Sequence, residues 1–214
     1  MNKLNRKNFA RPEFKPWRIE NPNLPGTGYE NTDFLYDSFS VAQAAAFPQL
    51  TPMFQVPNTA NKTKAQTNMQ TAGVLANQET FKLRRVRVII AANTLLADAI
   101  NIAQLCSGVL KIGGRDFLTG PLMAFPGGGG IQLTAAANVG TLLGAASIQT
   151  GIANGDTNIM NAFQFEDEIM INNGESIRFD VTAETAFNMT GTASGGVGTT
   201  IYVFLDGRRL RNVS

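Results

Sequence analysis

Short runs of alternating apolar and polar residues recur along this chain, and they restrict it to extended strands more firmly than any other feature. Phe163, Phe165, Ile169 and Ile171 share one phase, Ile177, Phe179 and Val181 another, and Ile201, Val203 and Leu205 a third. From Phe81 to Ile90 the phase changes midway: Phe81 and Leu83 point one way, Val86, Val88 and Ile90 the other. One extra residue near Arg84-Arg85, a β-bulge, would put all five on one face. Lys82, Arg84 and Arg87 would then face away from the core. Val109 to Ile112 reads as a strand, and Phe117-Leu118 and Leu122 to Phe125 as further extended chain.

Turn chemistry separates these runs. Gly113-Gly114 and Asp206-Gly207 are turn signals, and Asn172-Asn173-Gly174 predicts a hairpin turn. Tyr202 and Phe204 give the closing strand apolar residues on both sides, which predicts burial of both its faces. One helix is expected. Asn93 or Thr94 would cap it, Leu95, Ala99, Ile102 and Cys106 would form its apolar stripe, and Gly108 would end it. Short strands, Gly-rich connections and a single inserted helix indicate an all-β sandwich or barrel.

The sequence divides into three stretches. Residues 1–32 form an extended arm, because Pro12, Pro16, Pro22 and Pro25 forbid a helix of any length. Residues 33–77 form an irregular, low-charge segment in which Ser38 to Val41 makes a short strand and 58–71 a surface loop. Residues 78–214 form the β-sandwich core domain.

Charge is distributed unevenly among them. The first eighteen residues carry Lys3, Arg6, Lys7, Arg11, Lys15 and Arg18 against Glu13, a net of +5. The remainder carries twelve basic and fifteen acidic side chains, a net of −3. Only 16% of the chain is charged, below the roughly 25% of an ordinary soluble domain. A freely diffusing monomer keeps itself soluble with surface charge, so this scarcity points to a surface covered by neighbours. From Phe117 to Gly155 there is no charge at all, yet nine glycines and several amides break every candidate membrane helix. The arm also lacks the apolar run of a signal peptide.

Enzymatic chemistry is hard to place. With no histidine there is no Ser-His-Asp or Cys-His arrangement and no imidazole base. Cys106 is the only cysteine, which excludes an internal disulfide and a multi-cysteine zinc site, and its place on an apolar stripe argues for a buried hydrophobe. Glu166, Asp167 and Glu168 read as a solvated bulge between apolar strand segments, not as an acid/base pair. Gly127 to Gly130 lacks the Lys-Ser/Thr of a phosphate loop. Asp156 and Asn158 are only two oxygen ligands, too few for a calcium site. The expected protein has no catalytic residue, cofactor, metal or small-molecule substrate.

The arm alternates cations with Phe9, Phe14 and Trp17. Lys3, Arg6, Lys7, Arg11, Lys15, Trp17 and Arg18 are its candidate contact residues. Three ligands suit them: nucleic acid, an anionic lipid headgroup layer, or a neighbouring subunit. With Lys82, Arg84, Arg87, Arg208, Arg209 and Arg211 they could form one positive surface; the alternative is that these body cations are scattered solubilising charge.

A basic, aromatic-dotted arm ahead of a charge-poor β domain resembles the jelly-roll structural proteins of icosahedral bacteriophages and viruses. Phe163 to Val181, with Gly174-Glu175-Ser176 between strands, is similar to the hairpins of that class. So are the closing strand at Ile201 to Leu205 and the short basic tail; together the likeness spans 78–211. It implies a single jelly roll, since double jelly-roll coat proteins are longer. It implies a self-assembling capsid subunit made in the host cytoplasm and resident in the virion, with copies of itself and other virion proteins as partners. A minor capsid, cement or spike protein remains an alternative. So does a surface carbohydrate-binding or adhesin sandwich, although the only Trp lies in the arm and an adhesin should display an aromatic platform.

Overall fold

The computed structural model describes residues 29–76, 79–91, 94–126, 132–136, 149–153, 163–190 and 197–211. Ten strands and one α-helix lie among them: β1 (Tyr29–Ala42), β2 (Leu50–Met53), β3 (Glu79–Ile90), α1 (Leu96–Leu105), β4 (Cys106–Ile112), β5 (Arg115–Pro121), β6 (Gln132–Ala136), β7 (Gln149–Ala153), β8 (Phe163–Ile171), β9 (Ile177–Ala183) and β10 (Val197–Arg211). The protein is all-β in architecture, with two four-stranded antiparallel sheets. Their orders are β1-β10-β3-β8 and β2-β9-β4-β5, and a separate β6-β7 hairpin completes the strands.

The pairing is nested. β1 pairs with β10, β2 with β9, β3 with β8 and β4 with β5, always antiparallel. Two further ladders, β10 with β3 and β9 with β4, join these pairs into the two sheets. Inward residues of both sheets enter one apolar cluster: Leu35, Phe81, Leu83, Val203 and Leu205 from one, Leu110, Phe179 and Val181 from the other. Each such large side chain contributes roughly 1.5–3 kcal/mol by leaving water. Phe125 bridges the sheets, its ring 5.7 Å from that of Phe179 on β9 and 5.8 Å from that of Phe163 on β8.

The predicted bulge in β3 is present. Asp206 opposes Arg85 and Gly207 opposes Leu83, so Arg84 has no partner in the ladder. Phe81, Leu83, Val86, Val88 and Ile90 are all buried, and Lys82, Arg84 and Arg87 lie in the other phase. Asp206-Gly207, expected as a turn, is instead the matching irregularity inside β10. The backbones approach so closely there that a Cβ on Gly207 would sit 2.0 Å from the Lys82 carbonyl oxygen, which is why glycine occupies the site.

Other expectations need correction. The boundary at residue 33 falls inside β1, and 33–77 supplies two strands of the sandwich. Asn172-Asn173-Gly174 does turn, with Gly174 at φ +83°, but β8 and β9 belong to different sheets. It is a corner of the sandwich rather than a hairpin, because both strands direct apolar residues into one core from opposite sides. The helix ends at Leu105 and Cys106 already opens β4. Gly108 therefore lies mid-strand, where a Cβ would meet the Phe179 ring at 2.5 Å. Thr94 does not cap α1, which has no side-chain cap; it is buried and hydrogen-bonded to Thr199. Leu122–Ala124 form a 3-10 turn where extended chain was expected.

Candidate functional site

The register of β1, β10 and β3 assembles an aromatic strip on the outer face of their sheet. Leu35 and Leu205 face each other inward, so their chain neighbours point out. Tyr36 lies opposite Phe204, and Phe204 opposite Arg87. Phe34, Tyr36, Phe204 and Tyr202 then form a continuous row. Ring centroids are 5.8 Å apart for Phe34–Tyr36, 6.0 Å for Phe34–Phe204, 5.9 Å for Tyr36–Phe204 and 6.4 Å for Tyr202–Phe204. Phe34 is 45% exposed and the other three are half-buried. Burial of both faces of β10, expected from Tyr202 and Phe204, is not observed: one face is core and the other is this strip.

Arg87 finishes the strip. Its guanidinium lies 4.9 Å from the Phe204 centroid. It also donates from Nε and Nη2 to the two Asp206 oxygens at 2.6 and 2.7 Å. This bidentate geometry locks the guanidinium plane, so the strip has a fixed polar margin beside its rings.

The 58–71 loop, expected at the surface, closes the free edge of β1. Asn68 acts as a substitute strand: its Oδ1 accepts from Tyr36 N at 2.9 Å and its Nδ2 donates to Phe34 O at 2.7 Å. Thr67 Oγ1 donates to Tyr36 O at 3.0 Å. The Tyr36 hydroxyl donates to the Lys64 carbonyl. Lys62 Nζ reaches the Ser38 carbonyl at 2.6 Å and the fully buried Asp37 at 2.7 Å. Asp37 also accepts from Phe54 N at 2.6 Å, holding Phe54 at φ +67°. An edge sealed in this way resists strand-to-strand aggregation.

Below the strip, most of the body cations lie beside carboxylates. Glu30 lies 3.4 Å from Lys82 and 3.5 Å from Arg208. Arg209 lies 2.9 Å from Asp33, and Arg211 2.8 Å from Glu79. With the Arg87–Asp206 pair, five of the six body cations grouped from sequence face a carboxylate; Arg84 is exposed. Sequence pattern placed the cations but could not place Glu30, Asp33 and Glu79 beside them across strands.

The acidic triplet behaves as the sequence suggests. Between Leu83↔Ile169 and Arg85↔Gln164, β8 has extra residues that bulge out of the ladder, and Glu166, Asp167 and Glu168 are exposed. Burial, and after it the charge of Glu184, pushes the Cys106 thiol up to about 12, so it stays protonated and unreactive at neutral pH. An apolar cavity of about 360 Å³ lies between β3, α1 and the 3-10 turn, lined by Val88, Ala99, Ala103, Leu122 and Phe125 with Gln104 at its side; among the described residues, none that lines it is titratable. No group of three or more potential metal-ligating side chains occurs among the described residues, and none of their helices is long and apolar enough to cross a membrane. The arm residues Lys3, Arg6, Lys7, Arg11, Lys15, Trp17 and Arg18, the Gly127–Gly130 run, and Asp156 with Asn158 lie outside the described residues.

Sequence reasoning missed Phe34 and Tyr36 altogether. Phe34-Leu35-Tyr36 is apolar on both sides, and Asp37 occupies a core-facing position, so period two is obscured. Their enrichment in β-favouring aromatics was the available signal. Comparison with family models, curated proteins and solved structures found no match.

Proposed function

We propose that this chain is a virion structural protein, a jelly-roll capsid subunit that self-assembles into an icosahedral shell. The observation that carries the proposal is the strand order. Apart from β6-β7, the eight strands pair as the two arms of one long hairpin, β1 with β10 through β4 with β5. Folding such a hairpin over itself produces the two ladders β10-β3 and β9-β4. A double-sheet, eight-stranded wrap of this kind supports the jelly-roll reading. The low charge and the half-exposed strip support assembly, because apolar surface of this kind marks sites of association. The subunit's work is adhesion and shape, its partners are copies of itself and other virion proteins, and the basic arm tethers neighbours and faces genome or an internal membrane. Electron microscopy of the purified full chain tests the proposal: closed shells of uniform diameter are expected, and a stable monomer at high concentration would overturn it.

One observation favours a second reading. A row of aromatic rings beside a fixed Arg87–Asp206 pair is the platform that the sequence was expected to lack, and a carbohydrate-binding surface uses such rings for stacking. Saturable binding of a defined oligosaccharide, abolished by Tyr202→Ser, would select it.

A further inference from the structure

We infer that the aromatic strip is the seat of the Phe9–Arg18 segment of the N-terminal arm, supplied by a neighbouring copy; this rests on the assembly proposed above. The strip is a row of rings in contact, with centroids 5.8 to 6.4 Å apart, so it offers ring faces and edges to a ligand. The segment reads Phe9-Ala10-Arg11-Pro12-Glu13-Phe14-Lys15-Pro16-Trp17-Arg18. Proline holds such a stretch near polyproline II before it binds, so little entropy remains to be lost, and aromatic-lined surfaces accept its rings.

Charge sets the direction. One row across the sheet runs Phe34, Asp206, Arg85, Gln164, and the exposed Glu166–Glu168 bulge begins two residues after Gln164, beyond Phe165. Three strand spacings separate β1 from β8, about 14 Å, which four to five residues of polyproline II cover at about 3.1 Å each. Phe14 and Arg18 are four residues apart. With Pro12 and Phe14 on the strip, Arg18 reaches the acidic bulge. The arm's net +5 meets a body of net −3.

The proposed assembly brings a neighbour within the arm's reach. β1 enters at Tyr29, opposite Arg211, and Phe34 lies five residues further on, about 17 Å into the sheet. The twelve residues from Trp17 to Tyr29 span about 37 Å when extended, enough to reach a copy packed beside the strip. The arm's own strip is also within that length, and the light–heavy readout decides between the two.

The test replaces Trp17 with the photo-crosslinker p-benzoylphenylalanine in the full chain, mixes isotopically light and heavy copies, assembles, irradiates and maps adducts by mass spectrometry. Light–heavy adducts on the peptides holding Phe34–Tyr36 and Tyr202–Phe204 are expected. Phe34→Ser and Tyr202→Ser, each checked for native circular dichroism, should cut their yield roughly tenfold. Adducts confined to single copies, or falling elsewhere on the protein, on nucleic acid or on lipid in well-formed particles, overturn the inference and leave the shell proposal standing. A chain that stays monomeric and yields no light–heavy adduct overturns both.

Discussion

The two sheets share one core but turn different faces outward. On β4 and β9 the outer residues other than Val109 are polar: Asp180 lies 3.5 Å from Lys111 and pairs with Arg178, and Lys111 lies 3.5 Å from Asp116. The exposed Leu50 and Phe117 stand singly on β2 and β5, the two edges of that sheet. The other sheet gathers four rings in one row on β1 and β10. Isolated apolar residues on a surface are ordinary, whereas a contiguous row is a site of association. One outer face is mainly charged and polar; the other carries a contiguous row of rings.

Six substitutions break or sharpen this contrast. The largest effect should come from the shared core: Phe179→Ala on one sheet and Leu205→Ala on the other should each cost about 2–5 kcal/mol. Urea unfolding followed by far-UV circular dichroism and by intrinsic fluorescence should show one transition for both variants. Separate transitions would mean that the sheets are two units. Next comes the sealed edge. Asp37→Ala strands the Phe54 amide and the Lys62 ammonium, costing about 2–3 kcal/mol, and should raise amide exchange at Tyr36 and Asn68.

The strip itself should matter less to folding than to association. Phe34→Ser or Tyr202→Ser should change monomer stability by about 1 kcal/mol or less, while raising the concentration needed for assembly roughly tenfold. Light scattering and thermal melts on the same samples separate the two. The smallest effect belongs to the polar face: Arg178→Ala should shift stability by about 0.5 kcal/mol and leave assembly unchanged. If it impairs assembly as strongly as the strip variants, the contrast between the faces is wrong.

How far the fold was legible depended on whether a strand had one apolar face. β3 was read from Phe81 to Ile90, bulge included, two residues short of its start at Glu79, because Phe81, Leu83, Val86, Val88 and Ile90 declare their phase and the cations fill the other. β9 was likewise plain. β1 was not, since rings on its outer face and Asp37 on its inner one cancel the alternation. Within the candidate site, Tyr202 and Phe204 were noticed but assigned to burial. A ring bound for solvent and a ring bound for a core have the same composition.

By itself the sequence determined the all-β class, the break at Arg84-Arg85, the exposed acidic bulge at Glu166–Glu168 and the structural nature of Cys106. These follow from local spacing and from residue chemistry, which a chain carries wherever it goes. Only the tertiary structure decided that Asn172–Gly174 is a corner between sheets, that Asp206-Gly207 lies inside a strand, and that Glu30, Asp33 and Glu79 neutralise the terminal arginines. It also decided that Phe34 and Tyr36 join Tyr202 and Phe204 in one strip. The physical reason is the same in each case: these features come from pairing between residues up to 170 positions or so apart, as Phe34 and Phe204 are. Such pairing is settled by which strands share a ladder, and no local pattern encodes that.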